Sequence, residues 1–494
     1  MAKLLINRGA DVNASNSNCD TCLHILINGS SNDFSDILDK LLSKGVCSDK
    51  KNRYGETPLH LSLNKRKLNA AKMLISNGAD INTESLYKKS IIHAAVNTNN
   101  IEIVEHIFSK GASVSYADKS LIHLAVENNN MEMVKLLLCN GCDIDAKDKN
   151  GKTVLHRASE SLQENVIKML LDSGASINKC DCNGNTPLHL VVGLQKKRSY
   201  KYSQKRQLHL LKEKAEESLI KMEDPEIELG HQKRISVARF LISKGADVNT
   251  INLQSKTPIH YIFENELTDI VFEILDNKLN TRYKINFNIK DELGNTALYY
   301  GIRKNIDCIK KIILKGKVMI NQQNDEHETL LHLATELGQL ETVKFLCQNG
   351  ADSTLKNKWG CTALCIAVNK KDILILTEFL KLENVLKIIN EIDEDGKTVV
   401  HRAVENNFKD GLIIILEHGG DIDRCDNNGD TALHLAVQNN LVEIVKTLFD
   451  YQPDIDIWNS NKKTAQSLAY EIGNEEIIYL FQKYCIQLFC TTHQ

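Results

Sequence analysis

No stretch of this 494-residue chain approaches the roughly 18 consecutive apolar residues that a membrane-spanning helix needs, so the chain reads as neither membrane-embedded nor exported. The opening Met-Ala-Lys-Leu-Leu-Ile-Asn-Arg-Gly has no apolar segment of signal-peptide length and no small-residue cleavage site. An excess of one charge is missing too. Sixty-one Lys plus Arg face 64 Asp plus Glu, and the net charge of −3 gives no whole-chain reason for a polyanionic partner. Nucleic acid is therefore disfavoured. Aromatics are scarce, at 5%, and fourteen cysteines in so long a chain are too dilute for a disulfide scaffold. They fit reduced thiols in an intracellular protein, cytoplasmic first and nuclear as the alternative. Catalytic signatures are absent: no Walker loop, His-Glu-x-x-His, Gly-x-Ser-x-Gly or kinase set occurs. This argues against an enzyme and a small-molecule substrate.

What is present is repetition. Thr-Pro-Leu-His stands at 57–60 and 186–189, with a close variant at 257–260, and looser copies begin at Thr21, Ser90, Ser120, Thr153, Thr296, Thr329, Thr362, Thr398, Thr431 and Thr464. Most of the thirteen starts are 33 residues apart. Thr offers a hydroxyl to the free N–H groups of a helix start, and Pro in the first turn loses no bond. Leu enters the core. Gly follows 21 residues after the start at 78, 111, 141, 174, 350 and 419, where a second helix must end in a left-handed residue. Apolar stripes such as Val166, Ile167, Leu170 and Leu171 fill the interval, predicting two short antiparallel helices per unit.

Together with Gly-Ala-Asp-Val-Asn at 245–249 and Thr-Ala-Leu-His-Leu-Ala-Val at 431–437, the pattern resembles the ankyrin-repeat family from residue 1 to about 485. The resemblance implies an all-α solenoid of stacked helix-turn-helix units, each with a projecting β-hairpin finger, which recognises other proteins through fingers and concave face. One such unit cannot bury its own apolar face, so stability must come from neighbour interfaces.

The expected organisation is a partial N-terminal repeat at 1–19, repeats at 20–195, a basic insertion at 196–234, repeats at 235–463, and a capping repeat with tail at 464–494. The first unit lacks its first helix and should expose Leu4 and Leu5; a truncated gene product and a start covered by a partner are both open readings. In the last unit Gln466 and Ser467 replace Leu and His, as in a cap. Within the insertion, 196–206 holds six basic residues and no acid, and 207–222 has a helical pattern; a solvated, mobile loop and an anion-binding or nuclear-localisation patch are the alternatives.

Ten of the sixteen histidines occupy the fourth position of the repeat start, which points to a structural hydrogen bond to the adjacent finger. The pairs Cys19/Cys22 and Cys139/Cys142 have the spacing of a zinc half-site but lie several repeats apart, so no metal or other cofactor is expected. Partner contacts are expected from aromatic and basic side chains where the repeat does not require them: Arg53, Tyr54, Lys149, Lys358, Trp359 and Trp458. The leading functional reading is a protein-binding scaffold or adaptor with an unidentified protein partner. The alternative is the recognition portion of a larger effector, channel or degradation-targeting protein.

Overall fold

The structure, a computed structural model, describes all residues except 1, 30–33, 87–89, 113–120, 195–224, 277, 280, 304–305, 316 and 492–494. The start at Ser120 and the expectations for 196–206 and 207–222 thus lie outside the described residues. Two compact units emerge, one of residues 1–253 with 280–283, the other of 254–279 with 284–494.

The first unit begins with Ala2–Asn7 and continues as helix pairs, among them Pro58–Asn64 with Leu68–Ser76 and Val154–Glu160 with Glu164–Asp172. The second has the same plan, as in Leu330–Glu336 with Leu340–Gln348 and Ala432–Gln438 with Val442–Asp450. Helices of seven and nine residues are too short to persist alone. Within each unit, first helices pack on first helices of the next repeat and second on second, and the residues between them, such as Leu59, Leu74, Leu433 and Leu448, are fully buried. The six glycines expected to end second helices all take left-handed φ, from 82° at Gly78 to 92° at Gly174.

The finger differs from a paired hairpin. Among the described residues there is no strand, only isolated antiparallel bridges at Ser15–Thr21, Glu84–Ser90 and Lys290–Thr296. The physical reason is that most of the described fingers are five-residue loops closed by a side chain. Asn52 Oδ1 accepts from the N–H groups of Tyr54 (2.9 Å) and Glu56 (3.0 Å), while its own N–H donates to the Glu56 carbonyl at 2.9 Å. The same Asx closure recurs at Asp148, Asp181, Asp291, Asn324, Asn357, Asp393, Asp426 and Asn459.

At the N-terminal end Leu4 and Leu5 are half-exposed. Near the insertion, one 19-residue helix, Pro225–Ser243, crosses position 234, the expected boundary of the insertion. Arg234 there is 5% exposed and donates to the carbonyls of Val191 (3.4 Å) and Val192 (3.1 Å), capping the preceding first helix. At the other end Phe449 stacks on Tyr484 with ring centroids 4.4 Å apart, and Ser467 is exposed.

Candidate functional site: the fingertip ladder

Most of the described fingers are tied to a first helix by the histidine of a repeat start. At Thr153 the reciprocal capping box forms: the Thr153 N–H donates to His156 Nδ1 at 3.1 Å and the threonine hydroxyl lies 2.8 Å from the same nitrogen. With Nδ1 accepting, Nε2 carries the hydrogen and donates to the carbonyl of Asn185, 2.9 Å away in the next repeat. Other described acceptors are likewise the residue before the next threonine: Glu56 for His24, Cys361 for His332, Asp430 for His401 and Lys463 for His434. Burial depresses the basicity of His156, His260, His332 and His401, His260 to about 4. These histidines are neutral staples.

Three starts depart from histidine. Tyr299 sends its hydroxyl to the Glu328 carboxylate at 2.8 Å, another cross-repeat bond, and burial followed by that carboxylate pushes it up to about 12. Ser467 bonds back to Thr464. Cys365, 4% exposed, has only local partners among the described residues: Thr362 Oγ1 at its N–H, the Asn369 amide 3.9 Å from its sulfur, and Cys361.

Neighbouring fingertips are joined by single backbone bonds, such as Cys182 N–H to Asn150 (3.0 Å), Lys358 N–H to Glu326 (2.9 Å), Glu394 N–H to Trp359 (3.2 Å) and Ser460 N–H to Asn428 (2.9 Å). Gly360 makes one approach feasible. Its φ is 72°, and a Cβ there would sit 2.8 Å from the Glu394 nitrogen. Lysines add a second strut: Lys51, Lys147, Lys290 and Lys356 donate to carbonyls of Glu84, Cys180, Gln323 and Ile392 in the adjacent finger. Lys51 and Lys147 are thus engaged in the ladder.

The expected partner residues fall into two groups. Arg53, Tyr54 and Lys149 are in the first unit, all exposed, with the Arg53 guanidinium 4.8 Å from the Tyr54 ring centroid and bonded to Asn18 Oδ1 at 2.9 Å. Lys358, Trp359 and Trp458 are in the second. Trp359 is 50% exposed, with Lys358 Nζ 4.6 Å from its ring centroid while pairing with Glu326. Tyr54 and Trp359 hold the same place, two residues after the Asx, where the backbone N–H and carbonyl are both used by the scaffold and only the ring is free. Trp458, 65% exposed, instead precedes Asn459, and three repeats separate it from Trp359, about 30 Å at 8–10 Å per packed helix. The two tryptophans form no common patch. Sequence reasoning missed the Asx position, although Asn or Asp five residues before the threonine was its signal.

The profile of ankyrin repeats (3 copies) matches this chain in overlapping segments from residue 1 to 200 and from 229 to 487. The chain belongs to the ankyrin-repeat family. It is 28% identical over 141 residues to the nuclear factor NF-kappa-B p105 subunit of Rattus norvegicus, covering 27% of this chain and 14% of that protein. It is 25% identical over 190 residues to a transient receptor potential cation channel subfamily A member 1 homolog of Caenorhabditis elegans, covering 37% and 14%. With human NF-kappa-B inhibitor zeta it shares 24% over 190 residues, covering 37% and 26%. These alignments span about a quarter or less of each relative. The crystal structure of the ankyrin repeat domain of Bcl-3 superposes with a TM-score of 0.41 at 22% identity, over 46% of this chain and 99% of that one. No helix among the described residues is long and apolar enough to cross a membrane.

Proposed function

We propose that this chain is a non-enzymatic protein-binding scaffold that reads its partners through individual fingertips, with Trp359 and Lys358 as one anchor and Tyr54 and Arg53 as another. The observation that carries this is the half-exposed ring of Trp359 on a finger whose backbone N–H groups, from Asn357 to Cys361, are all hydrogen-bonded, since a rigid aromatic loses little entropy on contact and aromatic and basic side chains dominate interface energetics. Lys149 and Trp458, exposed on other fingers, are assigned to separate contacts. No cofactor, metal or small-molecule substrate enters this reading, and the thiol-rich fingers favour a reducing, intracellular setting. Trp359→Ala tests it: capture of protein partners from lysate should fall at least tenfold, about 1.4 kcal/mol or more, with the melting temperature unchanged. Intact capture, or a matching loss of stability, assigns the ring to the scaffold.

The relatives support a second reading, recognition within a larger polypeptide, since two of them match this chain over only 14% of their length. An in-frame coding sequence encoding a further domain is the result that favours it.

A further inference from the structure

The thiols of Cys361 and Cys365 and the carboxylate of Asp393 bring one ligand atom each to within 4.8 Å of one another, the spacing of a metal site. Asp393 has no acceptor capacity left for an ion. Its Oδ1 accepts from the N–H groups of Asp395 (3.0 Å) and Lys397 (2.9 Å), and its Oδ2 from Nε (2.8 Å) and a terminal nitrogen (2.6 Å) of Arg402. Four donors fill the roughly four lone-pair positions of a carboxylate. The same set surrounds Asp148, which has Arg157 in place of Arg402, so this arrangement belongs to the finger itself. What is particular to this repeat is the pair of sulfurs.

We propose that Cys361 and Cys365 are a reversible dithiol–disulfide pair that shifts the finger carrying Trp359. Cys361 is half-buried and reachable from solvent, whereas Cys365 is buried directly behind it, the division of labour between an attacking and a resolving thiol. The two sulfurs lie within 4.8 Å of each other, a proximity that lowers the Cys361 pKa and, together with burial, raises that of Cys365. This favours thiolate at the exposed member. A hydroperoxide is the oxidant: the Cys361 thiolate attacks its terminal oxygen, forming an S–O bond as the O–O bond breaks and the alkoxide leaves with a proton as alcohol. Cys365 then attacks the sulfenic sulfur and expels hydroxide, which takes the second thiol proton as water. Two electrons pass from the sulfurs to the peroxide.

The connection to the finger is direct. Cys361 Sγ donates to the Trp359 carbonyl at 3.9 Å, the same oxygen that accepts the Glu394 N–H of the ladder. A disulfide removes that donor and draws the sulfur toward the helix. Thr362 has slack to permit it, because with cysteine in place of histidine the start keeps only half of its capping box and Cys365 makes no bond to the next finger among the described residues.

The test treats the full chain with hydrogen peroxide and maps thiols by mass spectrometry alongside amide exchange. An intramolecular Cys361–Cys365 disulfide should form before any other, revert with dithiothreitol, and speed exchange of the Glu394 N–H at least tenfold. Cys365→Ser should stop at a Cys361 sulfenic acid that dimedone traps, and Cys361→Ser should give neither product. Cys365→His, which returns the residue of the other repeats, is the folded control for the unaltered finger. Failure of the disulfide to form first, no dimedone adduct in Cys365→Ser, or a disulfide with Glu394 exchange unchanged overturns the proposal. Partner capture plays no part in these readouts, so they stand apart from the scaffold reading.

Discussion

Lowering the pH from 7 to 5 is expected to weaken the second unit through its buried histidines. His260 is 1% exposed, donates Nε2–H to the Asn295 carbonyl at 3.3 Å, and is held by burial at about 4 against an ordinary 6.5. The folded chain therefore refuses a proton that the unfolded chain accepts below 6.5. Stability is complete above that value and is lost as pH falls from 6.5 toward 4. At pH 5 the unfolded state has gained about 1.5 pH units of proton affinity, or about 2 kcal/mol from this residue alone. His332 and His401 are depressed by the same cause and add in the same direction. The paired carboxylates Asp276 and Glu443 are also depressed, Glu443 to about 2, so they stay ionised over this interval. Both tryptophans belong to the second unit, so urea unfolding followed by their fluorescence at the two pH values reads the effect. His260→Gln should reduce the pH 7 to 5 loss by about 2 kcal/mol, whatever it costs at pH 7. Equal midpoints at both pH values, or a loss that His260→Gln leaves untouched, refutes the reasoning.

Gly360→Ala should destabilise the chain by about 1–3 kcal/mol, since the added Cβ meets backbone in a left-handed conformation, whereas Gly230→Ala, in open helix surface, should gain about 0.5–1 kcal/mol; thermal melting of both separates strain from helix propensity. Arg234→Met keeps the stem but strips two carbonyls of their donor, and a loss of about 2 kcal/mol in urea unfolding is expected; no change means that the cap is ornamental. Amide exchange should be faster over Ala2–Asn7 than over Leu68–Ser76, because Leu4 and Leu5 are half-exposed while Leu74 and Ile75 are buried.

The repeat start was legible because its chemistry is local: Thr, Pro, Leu and His act within four residues, and the Gly that follows acts within one turn. The expected histidine bond to the adjacent finger was likewise readable from its recurrence and is present at His24, His156 and His434. Asx closure was equally local at Asn52 or Asn357, yet its signal sits among variable loop residues and was passed over. The thiol pair was not readable. Cys361 and Cys365 are four apart, but what makes them a pair is the depth of one and the half-exposure of the other, which depend on packing against the next repeat. The start of the helix at Pro225 was hidden for a similar reason, because Arg234 reads as part of a basic, solvated segment until its two carbonyl acceptors are seen.

The closure of most described fingers by their own Asn or Asp has a genetic corollary. A loop that closes on its own side chain, and whose ties to its neighbour are a main-chain bond plus His and Lys bonds to that neighbour's carbonyls, places few demands on the neighbour's side chains. Unequal recombination between two such segments, in register at any of the near-identical Thr-x-x-His starts, would delete or duplicate a block of 33 codons and still hand an intact carbonyl to the next amide. The gene can change length by whole modules, and the tip residues can diversify afterwards, one copy at a time, without renegotiating the junctions on either side.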